Sequence, residues 1–183
     1  MQKVFIIGIC FFTIVIAGAF YFLQDKQVGT APDTPAIATT TPEAAGARTV
    51  PDGRREYRNT AYHFSLLYPE TLEVKEYIEG GNALTVTFQD TKRGEGFQIF
   101  ITPYAEQQIS DERFKKDVPS GVRTALTDIT VDGATGAAFY SESAVLGETR
   151  EVWFIHNGRL FEVTSPRPLN AWLASIVQTW EFL

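Results

Sequence analysis

The stretch EVWFIHNGRLFEVT, Glu151 to Thr164, decides the fold. Its centre, Asn157-Gly158, suits a type I′ turn, because both central positions of that turn need positive φ. The turn fixes a register. His156 faces Arg159, Ile155 faces Leu160, Phe154 faces Phe161, Trp153 faces Glu162, Val152 faces Val163 and Glu151 faces Thr164. Alternation then places Val152, Phe154, Phe161 and Val163 on one face, a dry patch that belongs in a core. The open end of that face carries His156 and Arg159. The other face carries Trp153, Ile155 and Leu160, with Glu151 and Glu162 beside them.

Glu151 and Glu162 are diagonal neighbours, about 7–8 Å apart by sheet geometry. An inverting glycosidase uses carboxylates at such a range. A sugar cleft, however, draws on several elements. The simpler expectation is that each carboxylate meets an arginine such as Arg150 or Arg123, or water, at the edge of a helix-covered face. The histidines, His63 and His156, fall on separate predicted strands, with His63 half-exposed at a strand start. A zinc or triad site needs convergence with carboxylates, and no three-ligand set is evident. No metal, cofactor or catalytic residue is therefore expected. His156, Arg159, Glu151 and Glu162 stand as candidate surface or interaction residues.

Outward from the hairpin, the same signals recur. Tyr62 to Tyr68 reads as a strand ended by Pro69. Leu72 to Ile78 alternates, with Leu72, Val74 and Ile78 on one face. Gly80-Gly81-Asn82 turns into Ala83 to Phe88, and TKRGEG turns into Phe97 to Thr102. Gly94-Glu95-Gly96 is a turn, since no helix start follows it to cradle phosphate. Ser110 caps a short helix with Asp111 and Glu112 in its first turn, where the dipole favours anions; Pro119 stops it. Asp128 to Val131 and Thr135 to Ser141 flank a turn at Asp132-Gly133. At the end, Leu169, Trp172, Leu173, Ile176 and Trp180 fall at helical spacing and predict an amphipathic helix that docks on the sheet. Neighbouring hairpins without βαβ alternation argue for an antiparallel α+β domain over 57–183.

These residues also carry a resemblance. HFSLLYPETLEV, Leu146-Gly147 followed by Glu151-Val152-Trp153-Phe154, Asn157-Gly158-Arg159-Leu160-Phe161 and the closing Thr179-Trp180-Glu181-Phe182 resemble a PsbP-like domain. That superfamily includes an extrinsic subunit of photosystem II and shares an αβα sandwich with the Mog-type Ran-binding proteins. The resemblance implies helices packed on an antiparallel sheet and a binding or assembly role rather than catalysis. It carries no binding residue over to this chain.

The first 56 residues read differently. Val4 to Leu23 has no charge, and twenty residues of helix span about 30 Å, the thickness of a bilayer core. Lys3 and the free amine precede it, so the positive-inside bias leaves residues 1–3 as a cytoplasmic tail and sends Gln24 onward outside. The rival reading is a signal peptide cleaved near Ala19, after the small-x-small Ala17-Gly18-Ala19. Against it, cleavage would leave Phe20-Tyr21-Phe22-Leu23 as a greasy terminus. Residues 24–56 are rich in Thr, Pro and Ala and lack aromatics, a composition that predicts a disordered tether spanning roughly 30 Å. Arg54-Arg55 reads as its solvated end.

The lone cysteine, Cys10, lies in the apolar run, which leaves the rest of the chain without disulfides or thiolate chemistry. From Tyr57 on there are eleven Lys and Arg against seventeen Asp and Glu, so the whole net charge of -6 sits on the predicted domain. Nucleic-acid binding needs clustered positive charge and is not expected. Nucleotide-binding, zinc-protease and nucleophile-elbow motifs are absent. The expected function is a membrane-tethered extracytoplasmic module that binds or assembles with an envelope protein. The alternatives are an envelope polysaccharide or small-molecule binder, using aromatic surfaces near Tyr104, Tyr140 or Trp153, and a carboxylate-pair hydrolase.

Overall fold

A long antiparallel sheet of seven strands and a small one of three make up the described part of the chain. The computed structural model describes residues 48–183. The predicted cytoplasmic tail, the apolar segment over 4–23, the cleavage position near Ala19 and most of the tether lie outside the described residues. Within them the strands are β1 (Arg54–Asn59), β2 (Phe64–Pro69), β3 (Glu73–Glu79), β4 (Ala83–Asp90), β5 (Glu95–Pro103), β6 (Thr124–Val131), β7 (Ala134–Ser143), β8 (Gly147–His156), β9 (Arg159–Pro166) and β10 (Glu181–Phe182). The helices are α1 (Asp111–Asp117) and α2 (Asn170–Val177). The long sheet runs in the order β3-β4-β5-β9-β8-β7-β6, and the small sheet runs β1-β2-β10. Among the described residues no helix is long and apolar enough to cross a membrane.

The hairpin β8–β9 has the register its turn dictates, with all six pairs from His156–Arg159 to Glu151–Thr164 in place. Asn157 and Gly158 sit at φ 47° and 70°, and Asp132 and Gly133 at 43° and 82°. Both turns are thus left-handed at both central positions, which matches the right-handed strand twist.

One face of the long sheet forms the main core. Val152, Phe154, Phe161 and Val163 pack there with Leu84, Val86 and Phe88 of β4 and Phe97, Ile99 and Ile101 of β5. The small sheet and α2 close over this layer. Phe64 lies edge-on to Phe161 at 5.6 Å, and Tyr57 edge-on to Phe88 at 5.3 Å. From α2, Leu173 and Ile176 are buried, and Trp172 meets the ring of Phe97. On the opposite face α1 covers Trp153, Phe139 and Leu160. The result is an α+β arrangement, predominantly sheet, with one helix on each side.

Four local expectations are corrected. Arg54 and Arg55 belong to β1, paired with Pro69 and Tyr68, so strand pairing starts three residues before Tyr57. His63 lies in the turn before β2, at φ 56° and exposed, not in a strand. Ile78 is 91% exposed although Leu72 is buried, because β3 is the outermost strand and its far end runs past the core. The C-terminal helix ends at Val177. Thr179 donates to the carbonyl of Ile176 and its hydroxyl accepts from the Leu67 amide, and the chain then extends into β10. Trp180 fits the helical spacing yet reaches the core from beyond the helix.

Candidate functional site

The residues with chemical potential divide between the two faces of the β8–β9 hairpin. Glu151 and Glu162 point toward α1. His156 and Arg159 lie at the tip on the core side, where the His156 ring stacks on Phe182 at 3.6 Å and the Arg159 guanidinium sits 4.5 Å from the Tyr62 ring centre. Burial lowers the His156 pKa, and the charge of Asp132 opposes this. The structure therefore does not bring the four residues into one patch.

The α1 side is built around an arginine, Arg113, that lies 49 positions from its partner Glu162. Ser110 caps α1, accepting from the Arg113 amide at 3.2 Å. The two-turn helix then directs Arg113, Phe114 and Asp117 at the sheet. Arg113 Nη2 donates to Glu162 Oε1 at 3.0 Å, and its Nε contacts the carboxylate of Asp117. The three side chains are 10%, 3% and 4% exposed, in the order Arg113, Glu162, Asp117. Burial first, then the Asp117 carboxylate, push the Glu162 pKa well above the usual range, against the pull of Arg113. The one guanidinium lies between the two buried carboxyls, and the like charge of Asp117 disfavours ionisation of Glu162.

Glu151 is satisfied differently. Thr149 Oγ1 donates to its Oε1 at 2.6 Å; Thr164 Oγ1 and Trp153 Nε1 donate to its Oε2 at 2.6 and 3.2 Å. Burial raises its pKa and these three donors offset part of the rise. Phe114 stacks on Trp153 at 5.1 Å, and Arg123 lies 4.0 Å over Phe114 while pairing with Asp111. Neither Arg150 nor Arg123 forms a salt bridge with the glutamates, though the Arg150 charge acts on Glu151; Arg113 takes Glu162, and two hydroxyls and the Trp153 indole take Glu151. Both carboxyls are buried; Glu162, through Arg113, ties α1 to the sheet, and Glu151 is bound within the β8–β9 hairpin.

The aromatic positions are closed as well. Trp153 is buried, and Tyr104 is buried with its hydroxyl bound to Glu106, the Gln108 carbonyl and the Ser110 amide. Tyr140 is covered by Arg150 and Arg167. Among the described residues no cluster of three or more His, Cys, Asp or Glu is arranged to hold a metal.

An open feature lies beside α1. A groove of about 690 Å³ runs between the segment before α1 and the strands β6 and β7, lined by Gln107, Gln108, Ile109, Leu126, Asp128 and Ala137 among others. Its floor is low because Gly136 and Ala137 lack bulk, and Ile155 and Phe114 form its inner wall. Sequence periodicity had no means to find it, since the lining comes from five separate segments. Arg113 did leave a trace: Arg113 and Asp117 stand four apart and flank Phe114 on one helical face.

No protein-family model and no curated protein sequence matches the chain. Solved structures do. The solution structure of cyanobacterial PsbP (CyanoP) from Synechocystis sp. PCC 6803 superposes with a TM-score of 0.51 at 12% identity. The match covers 76% of this chain and 98% of that one. The fold is PsbP-like. At that identity the likeness concerns the path of the backbone, and the PsbP-like fold is what the two proteins share.

Proposed function

We propose that this protein is a non-enzymatic binding or assembly module, held outside the cytoplasmic membrane by its N-terminal apolar segment and reaching an envelope protein partner through the Thr/Pro/Ala-rich tether. The observation that carries this reading is the contrast on the α1 side. Groups with catalytic potential, Glu151, Glu162 and Asp117, are buried and engaged with Arg113, hydroxyls or an indole, while the adjoining groove is open and lined by amides, hydroxyls, aliphatic carbons and the carboxylate of Asp128. Such a surface suits recognition, where apolar contact supplies affinity and a few polar groups fix orientation. The acidic balance of the chain and the resemblance to PsbP-like domains, which implies a binding or assembly role, support the same reading.

The test is site-specific photocrosslinking in intact cells. A photoreactive residue at Gln108 or Leu126, on the groove, should trap a discrete protein neighbour, and one at Ile78, on the far edge, should not. Smears or no adduct from both groove positions would sink the binding reading. An alkaline phosphatase fusion after Leu183 should be active if the domain lies outside.

A further inference from the structure

The long sheet has two free edges, and they are built differently. β3 carries Glu73, Lys75, Glu76 and Glu79, four charges in seven residues. Charged side chains along an edge are a common defence against pairing with another chain. β6, TALTDITV, carries one charge in eight residues and is otherwise rich in β-branched side chains. It is exposed along most of its length, Leu126 is 52% exposed, and among the described residues no strand lies beyond it.

The register identifies which groups β6 offers. In a two-residue hairpin the pair next to the turn, here Val131–Ala134, exchanges both main-chain hydrogen bonds, and pairs then alternate. Ile129–Gly136 and Thr127–Ala138 are therefore bonded inward. Asp128 and Thr130 turn their N–H and C=O away from the sheet. Those same two residues line the groove. Beyond Thr127 a bulge sets Ala125 and Leu126 against one residue of β7, with Ala125 at φ 51°, which ends the regular edge and turns it toward Leu126.

We propose that β6 is a strand-addition site for an extended segment of a partner protein in which aliphatic and basic residues alternate. Its main chain pairs with Asp128 and Thr130, its cations fall on the groove face beside Asp128, and its aliphatic side chains fall on the opposite face, beside Ile129 in the smaller hollow toward α2. The basic character follows from charge. Asp128 is the one ionisable group among the lining residues, and the chain as a whole carries -6. Strand addition draws affinity from main-chain hydrogen bonds and specificity from alternate side chains. This inference rests on the binding reading above and gives it a partner chemistry.

The experiment uses the full chain in detergent micelles and fluorescence anisotropy of a short synthetic peptide alternating valine with lysine. Saturable binding is expected, weakened about tenfold when glutamate replaces lysine, since an attraction becomes a repulsion. Asp128→Asn should weaken the lysine peptide about threefold and leave the glutamate peptide no worse. Thr130→Pro should abolish binding while leaving the fold intact, because its N–H points out of the ladder; circular dichroism checks the fold. A peptide N-methylated at every main-chain nitrogen, which blocks both of its edges, tests the same bonds without altering the protein, and should not bind. Absence of binding by the lysine peptide, equal binding by the two charge types, or undiminished binding of the N-methylated peptide would each overturn the proposal. If the in-cell adduct at Gln108 or Leu126 persists alongside any of these results, the binding reading stands and strand addition alone fails.

Discussion

On one face of the long sheet Phe154 and Phe161 stack at 5.3 Å; one residue along the same two strands, Trp153 and Glu162 stand opposite each other beneath an arginine. The strands and the turn are shared, so the difference lies wholly in what covers each face. The small sheet and α2 bring more rings, among them Phe64, Trp180 and Phe182, and that layer is held by apolar burial and offset or edge-on ring packing. α1 brings Arg113 and Asp117, so the other face is held by a buried ionic cluster ringed by aromatics. The first kind of contact tolerates small shifts. The second requires every charge to keep its partner, and so fixes where a two-turn helix sits.

Substitutions can break that contrast, beginning where the two faces meet. Gly136 pairs with Phe154, and a Cβ there would run into the Trp153 carbonyl oxygen and lie 2.6 Å from Phe154 Cβ. Gly136→Ala should therefore cost more than about 4 kcal/mol, the range reserved for backbone conflict in a core. Soluble yield and urea denaturation check it.

Next come single deletions within each face. Phe161→Ala should cost about 3–5 kcal/mol through cavity formation. Arg113→Ala should cost a similar 3–5 kcal/mol, because it strands buried carboxyls. The faces part on rescue. Combining Arg113→Met with Asp117→Leu and Glu162→Leu should recover most of the loss, as apolar replacements of buried ion clusters often do. Urea midpoints that stay low in the triple variant would mean the cluster contributes more than mutual compensation.

One matched pair of substitutions sharpens the comparison further. Trp153→Phe removes a donor from the buried carboxyl of Glu151 and should cost about 1–3 kcal/mol. Trp180→Phe removes an indole N–H that has no partner among the described residues and should cost less than Trp153→Phe, since only the packing loss common to both remains. Equal losses would erase the distinction between the faces.

The subtlest difference is in pH response. The pKa of Glu162 and that of Glu151 are raised in the fold above the ordinary value near 4.5. The native state then binds more protons than the unfolded chain between that value and the raised one, so stability falls as pH rises through the window. The contribution is complete below the ordinary value. Glu162→Gln, which keeps a donor where the proton was, should flatten the slope of the urea midpoint against pH. Substitutions confined to the aromatic face, such as Trp180→Phe, should leave it unchanged.

The aromatic face was largely legible in the sequence, because Asn157-Gly158 sets register and alternation does the rest. The same register correctly set Glu151 and Glu162 diagonally on one face. What it could not supply was their partner. Arg113 is distant in sequence, and the nearer Arg150 and Arg123 find aromatic rings instead. Strand order was equally hidden. Ile78 alternates with Val74 as a core residue would, yet only the position of β3 at the end of the sheet decides that nothing covers it. The turn at His63 was masked by the apolar run after it. At the C-terminus, helical spacing and a return strand place Trp180 in the same core, so periodicity alone could not separate them.

The closing strand has a consequence in time. Leu67 and Thr179 are bonded across 112 positions, Phe64 stacks on Trp180 at 4.5 Å, and the Leu183 amide donates to His63. β2 thus waits for a partner made 112 positions later. At synthesis rates of about 5–20 residues per second, a ring such as Phe64 stays uncovered for several seconds before Trp180 is made. Closure of the aromatic layer must follow synthesis of β10 rather than accompany that of β2.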